Sequence, residues 1–115
     1  MTLPERDLGY LEDIRSYAAD ALSLAGGKSY DEFVTSIATR HGILHCLTII
    51  GEVAGRLSPA THERFPQFAW TSMKGMRHIL VHEYGRVDYL KVWDVVMNEL
   101  PALSAELERY LQTIE

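Results

Sequence analysis

Apolar side chains recur every three or four residues along most of this 115-residue chain, and this spacing is the strongest constraint on its fold. Because residues three and four apart lie on one face of a helix, each run of this kind predicts an amphipathic helix. The first run consists of Leu8, Leu11, Ile14, Ala18 and Leu22. No stretch shows the alternation of a half-buried strand, and no internal repeat is found. The pattern predicts an all-α bundle of four to five helices.

Capping signals divide this pattern into segments. Thr2 with Glu5, and Ser29 with Glu32, have the spacing of capping boxes, in which a hydroxyl and a carboxylate reciprocally satisfy free backbone N–H groups. They predict the starts of the first two helical segments. Gly42 lies inside the second segment and is predicted to interrupt it.

The C-terminal half predicts two further helices. One starts at Phe68 or Trp70 and stops at Gly85, since glycine commonly ends a helix. Asp88 has the side chain and the position of an N-cap for the last helix. Pro101 lies inside that helix and is expected to kink it, because proline lacks the backbone N–H.

Length and composition fit one domain, residues 1–115, with a hydrophobic core. Hydrophobic residues make up 47% of the chain and charged residues 23%, which is typical of a folded globular protein. The apolar runs are far shorter than the ~20 residues that a membrane span needs. The N-terminus lacks the basic and apolar regions of a signal peptide, and Cys46 has no second cysteine to pair with. We therefore expect a cytoplasmic protein with no membrane association.

The charge of the chain is unevenly distributed. The formal net charge is −5, which argues against a dedicated nucleic-acid binder, because cations supply most of the affinity for phosphates. Residues 40–91, however, contain seven Lys and Arg against four Asp and Glu, a balance of +3, together with all five histidines. An RNA partner is therefore compatible with the middle of the chain.

The densest group of reactive side chains lies in the segment 76–85. It contains Arg77, His78, His82, Glu83 and Tyr84. Arginine presents a planar fork suited to phosphate, and histidine exchanges protons near neutral pH. Such a pair can cleave RNA without a metal or cofactor: a base removes the ribose 2′-OH proton, and a cation stabilises the charge that develops on the phosphate. The products would be a 2′,3′-cyclic phosphate and a 5′-OH.

The spacing of Arg77 and His82 restricts how they can meet. Five residues correspond to ~140° around an ideal helix, so the two side chains do not share a face. They converge only if the helix end is irregular or if the cleft lies between two copies of the chain. The second option suits a small bundle, because a two-fold axis would present the same basic patch twice.

Two histidine pairs have a spacing that also suits metal binding. His41 with His45, and His78 with His82, are four residues apart and can face one ion from a helix. Neither pair is accompanied by the glutamate of a zinc-protease motif or by a cysteine cluster. We interpret them as polar helix positions and predict no metal site.

The pattern from Arg77 through His82 to Tyr84, Arg-x-x-x-x-His-x-Tyr, resembles the signature of the HEPN superfamily. The longer pattern resembles its HepT branch, the toxin half of HepT/MNT toxin–antitoxin pairs. The matching elements are residues 30–33, residues 49–54 with their Ile-Gly-Glu core, Trp70 ahead of residues 73–77, and residues 87–88 followed by 92–93. The resemblance thus covers nearly the whole chain.

The resemblance implies a homodimeric, metal-independent endoribonuclease toxin with a HEPN-type helical fold and no cofactor. Arg77 would contact the scissile phosphate, and His82 would act as general acid and base at the dimer interface. The implied partner is a minimal nucleotidyltransferase antitoxin that adenylylates Tyr84. His78 stands where the family usually has Asn, and it would alter substrate positioning or supply a second proton carrier.

The sequence leaves alternatives for the role of Glu52 and for the function of the whole cluster. Glu52 is either a helix-interior partner of an arginine or a carboxylate of the cleft that positions substrate, and we favour the structural role. The whole cluster also fits a non-catalytic helical partner that binds nucleotide or a nucleotidyltransferase. A nucleic-acid-binding regulator is a third interpretation, which the net charge disfavours.

Overall fold

The computed structural model describes residues 3–114, which form seven α-helices and no β-strand. The helices are α1 (Glu5–Ala25), α2 (Tyr30–Thr35), α3 (Ile37–Ala54), α4 (Pro59–Arg64), α5 (Trp70–His82), α6 (Tyr89–Asp94) and α7 (Leu100–Gln112). The predicted all-α class is confirmed. Four long helices form the bundle, and the six-residue helices α2, α4 and α6 connect them. Within the described range no helix has the length and hydropathy to cross a membrane.

The core lies where α1, α3 and α7 pack together. Its fully buried side chains include Leu11, Ile14, Phe33, Ile43 and Leu107, each 0% exposed. Cys46 is also buried among them and is a free thiol, as its position in an apolar run predicts. Burial raises the pKa of the Cys46 thiol, which leaves it a poor nucleophile. α5 packs on the outer side of α3.

The second predicted segment is divided at Ser36 and not at Gly42. The capping box of Ser29 and Glu32 is confirmed, with both reciprocal hydrogen bonds present. Ser36 then starts α3 by accepting a hydrogen bond from the Thr39 amide. The prediction for Gly42 is wrong because this residue lies within α3 against Leu24 of α1. A Cβ there would come 2.7 Å from Leu24 Cδ1, so the glycine allows the close approach of the two helices.

Only Glu5 of the predicted Thr2–Glu5 capping box lies within the described residues. Thr2 lies outside the described residues. Pro4 occupies the N-cap position of α1, with no side-chain hydrogen bond from it, and Glu5 is the first helical residue.

Predictions for the C-terminal half agree with the structure except at Gly85. Trp70 starts α5 as expected, but the helix ends at His82, and the amide of Glu83 closes it by donating to the Ile79 carbonyl at 2.9 Å. Gly85 lies beyond that end, in a 3-10 turn (Tyr84–Arg86). Asp88 caps α6 by accepting hydrogen bonds from the amides of residues 90 and 91.

Pro101 changes the helix one turn before itself. A π-helical turn (Val95–Glu99) separates α6 from α7. Because Pro101 has no N–H and its ring crowds the preceding turn, regular α-helical hydrogen bonding is disturbed at this point. The structure thus has an irregular turn ahead of Pro101, and the kink expected at that residue stays a prediction.

A buried carboxylate joins α1 to the start of α4. Asp7 is 0% exposed, and its Oδ2 accepts hydrogen bonds from the Ser58 amide at 3.0 Å, from Ser58 Oγ at 2.6 Å and from the Thr61 hydroxyl. Burial alone would raise the pKa of Asp7, but the hydrogen bonds from Ser58 and Thr61 outweigh it and lower the pKa below its ordinary value. Asp7 is therefore ionised in the folded protein near neutral pH.

Candidate active site

α5 is a surface helix held down at one end. Of its thirteen residues only Trp70 is buried. The indole Nε1 of Trp70 donates to the Phe65 carbonyl at 3.0 Å, and the His62 ring lies 5.1 Å from the indole. The start of α5 is thus fixed to the segment before it, while the remaining turns lie on α3 with one side toward solvent.

Gly51 sets the distance between α3 and α5. A Cβ on Gly51 would lie 2.5 Å from Arg77 Cβ and 2.6 Å from the Met73 carbonyl oxygen. No side chain fits in that space, so the two helices touch through backbone at this crossing. Arg77 is consequently placed directly over the end of α3.

The guanidinium of Arg77 is held by Glu52, the residue next to Gly51. Arg77 Nε lies 2.7 Å from Glu52 Oε2, and the other carboxylate oxygen accepts from Arg56 Nη2 at 3.1 Å. The Arg77 Nε atom is closed off from solvent and its N–H is not well directed at the carboxylate, so the contact is an ion pair and not a good hydrogen bond. Arg77 nevertheless keeps 33% of its side chain exposed.

A second cluster lies at the C-terminal end of α5. The rings of His78 and His82 are 5.0 Å apart at an angle of 47°. Glu83 Oε2 lies 3.8 Å from His78 Nε2, and Glu83 Oε1 accepts from Arg86 Nη1 at 2.8 Å. Tyr84 follows in the 3-10 turn and is 78% exposed. These histidines and the tyrosine are open to a ligand.

The structure brings some of the predicted site residues together and leaves others apart. Glu52 lies beside Arg77, and His78 lies beside His82. α5 is regular through His82, so the ~140° between Arg77 and His82 is kept and an irregular helix end does not bring them together. Of the two ways for these groups to converge, a cleft between two copies remains.

Two of the other three histidines contact neighbouring parts of the fold. His62 Nε2 lies 3.0 Å from the Ala54 carbonyl oxygen, and the His45 ring packs edge-on against Tyr17. Among residues 3–114 no group of three or more His, Cys, Asp and Glu side chains is arranged to hold a metal ion. Sequence reasoning missed Arg56 as a neighbour of the site. Its pairing with Glu52, four residues earlier, follows from helical spacing, but the meeting of Glu52 with Arg77 depends on how α3 and α5 cross.

Comparison with known proteins identifies the family. The profile described as "Ribonuclease HepT-like" matches residues 8–110, and the chain belongs to this family. It is 32% identical over 114 residues to "Putative RNase MJ0125" of Methanocaldococcus jannaschii, with 98% of each chain covered. It is also 29% identical over 104 residues to "Probable ribonuclease HepT" of Thermococcus cleftensis, covering 87% of this chain and 91% of that protein. No solved structure gives a significant match. Membership in this family confirms the resemblance and supports ribonuclease activity.

Proposed function

We propose that this protein is a metal-independent endoribonuclease toxin of a HepT/MNT toxin–antitoxin pair, and that Arg77 and His82 carry the chemistry. The observation that carries the proposal is the placement of α5 in a member of this family. The helix is anchored at Trp70 and over Gly51, yet it presents a fixed guanidinium and two exposed imidazoles to solvent.

The proposed reaction is an internal transesterification of RNA. His82 accepts the proton of a ribose 2′-OH, the 2′ oxygen bonds to phosphorus, and the bond from phosphorus to the 5′ oxygen breaks. The departing 5′ oxygen takes a proton, which we assign to His78, whose ring lies 5.0 Å from that of His82. The exposed part of Arg77 stabilises the charge on the phosphate oxygens. The products are a 2′,3′-cyclic phosphate and a 5′-OH, and no water is consumed.

A homodimer is part of this proposal. The exposed apolar surface supports it, since four of the seven large exposed hydrophobic residues fall within residues 79–90. They are Ile79, Val81, Tyr84 and Leu90. Exposed apolar side chains of this segment are available to pack against a second copy. Pairing two copies there would bring Arg77 of one copy toward His82 of its partner, which one regular helix does not do.

Tyr84 is proposed as the site at which the antitoxin acts. It is the most exposed of the six tyrosines, and the other five are half-buried. Adenylylation would add a phosphodiester and an adenine beside His82, which would block RNA by bulk and by negative charge. Intact-mass analysis after incubation with the nucleotidyltransferase and ATP should show added AMP on the wild type and on Tyr89→Phe. Addition to Tyr84→Phe would contradict the assignment.

Cleavage of RNA by His82→Ala tests the catalytic proposal. The protein is incubated with tRNA and total RNA in the presence of EDTA, and new 2′,3′-cyclic phosphate ends are counted. Losing the general base should reduce cleavage by roughly 10²- to 10⁴-fold. His41→Ala, which removes an exposed histidine of α3, is the matched control and should cleave normally.

Two outcomes would contradict this assignment. Full activity of His82→Ala would show that another group is the base. Binding of RNA by the wild type without new cyclic-phosphate ends would favour the alternative, a non-catalytic partner of a nucleotidyltransferase. That alternative draws on one observation, namely that a single chain holds Arg77 against Glu52 and away from His82.

A further inference from the structure

We propose that Arg56 and Lys74 form a second phosphate-binding subsite beside Arg77, which holds an RNA phosphate next to the scissile one. This inference rests on the proposed ribonuclease function and extends its substrate contacts beyond α5. The two residues belong to different parts of the chain, the turn after α3 and the second turn of α5.

The crossing of α3 and α5 brings these cations together. Arg56 and Arg77 bind the two oxygens of the same Glu52 carboxylate, at 3.1 Å and 2.7 Å. Lys74 lies over Gly55, where an added Cβ would meet Lys74 Cε at 3.7 Å. Lys74 is also one helical turn before Arg77, so both side chains point to similar sides of α5. Arg56 and Arg77 thus share Glu52, and Lys74 lies over the nearby Gly55 at the same crossing.

The charge of this patch has the sign that RNA needs. Three cations and one carboxylate lie at this crossing, which gives a local charge of +2 in a chain of net charge −5. Within residues 3–114 Lys74 takes part in no ion pair, and its side chain is exposed. A basic patch on an otherwise acidic protein concentrates a polyanion at that point.

The two arginines of the patch are held differently, and this difference suggests their roles. Arg77 Nε is closed to solvent between the helices, whereas the Arg56 side chain is 57% exposed and pairs with Glu52 only four residues away. Exposed pairs of this kind contribute little to stability, so a phosphate can readily displace Glu52 from Arg56. Glu52 would then keep Arg77 in place while Arg56 and Lys74 turn to the neighbouring phosphate.

Salt-dependent RNA binding by Arg56→Gln, Lys74→Gln and the double variant tests the subsite. All variants carry His82→Ala so that the RNA stays intact, and the probe is a fluorescent single-stranded RNA titrated at several KCl concentrations. Each phosphate contact to a single strand contributes ~0.7 to the slope of log affinity against log salt. The double variant should therefore lose roughly 1.4 from that slope and bind about 10-fold or more weakly at low salt.

Two control variants separate this patch from general charge effects. Arg109→Gln removes an exposed cation of α7 that pairs with Glu106, and its slope should stay that of the parent. Lys74→Arg keeps the charge and should keep the affinity. Circular dichroism of each variant checks that the helical fold is retained.

The outcomes distinguish this inference from the proposed catalysis. An unchanged slope and affinity in the double variant would overturn the subsite, even if the wild type cleaves RNA. Absence of measurable RNA binding by the parent at low salt would overturn it as well. If the double variant binds less tightly but the wild type releases no cyclic-phosphate ends, the subsite stands and the nuclease assignment fails.

Discussion

α3 and α5 pack against each other, but they differ in how many of their residues are buried. α3 buries eight of its eighteen residues between α1 and α5, whereas α5 buries one of thirteen. Most fully buried side chains therefore lie outside α5. That helix packs on α3 mainly through partly buried side chains and carries the reactive groups. Because of this difference, we expect substitutions in the candidate site to cost little stability, except where α5 touches α3 at Gly51.

The strongest contrast is between a buried and an exposed carboxylate. Asp7→Asn should lower the free energy of unfolding by about 1.5–3 kcal/mol, because it weakens charge-assisted hydrogen bonds in a fully buried group. Glu83→Gln removes ion pairs at the end of α5, where Glu83 is 35% exposed and Arg86 is 81% exposed, and should cost less than about 1 kcal/mol. Urea denaturation at pH 7 measures both. Equal losses would contradict the division between scaffold and site.

The stabilisation that Asp7 provides depends on pH. The folded-state pKa of Asp7 lies below its ordinary value of 3.8, so the stabilisation is complete above that value and is lost as the pH falls through the lowered pKa. The difference in stability between wild type and Asp7→Asn should therefore shrink in acid below about pH 4.

Two glycine substitutions test the contact between α3 and α5. Gly51→Ala places a methyl group within 2.6 Å of the Met73 carbonyl, so α5 must move away from α3, at a cost of about 1–3 kcal/mol and with Arg77 displaced. Gly75→Ala on α5 meets nothing within 4 Å and should be neutral or gain up to about 1 kcal/mol from helix propensity. Thermal unfolding and RNA cleavage of both variants check this. If Gly51→Ala were as stable and as active as Gly75→Ala, the crossing would not position Arg77.

The sequence was informative where structure is local. Ser29 with Glu32, Asp88 and Trp70 mark helix starts through the chemistry of their own neighbours, and the grouping of Arg77, His82 and Tyr84 is visible because these residues lie on one short segment. The resemblance to the HepT branch then implied RNA cleavage as the reaction of these residues.

What the sequence could not supply is contact between distant segments. Gly42 was expected to break a helix, because nothing nearby in the chain reveals that Leu24 packs against it. Asp7 meets Ser58 across fifty-one positions, and Glu52 meets Arg77 only because α3 and α5 cross. Such residues are identified by their three-dimensional surroundings and not by a local pattern.

The most direct test of the central claim is complementation between two inactive variants. Arg77→Ala and His82→Ala are refolded together, so that half of the dimers contain one copy of each. If Arg77 of one copy works with His82 of its partner, every mixed dimer regains one intact site, and the mixture should show about a quarter of wild-type cleavage while each variant alone shows almost none. A mixture as inactive as its components would contradict a site shared between two copies.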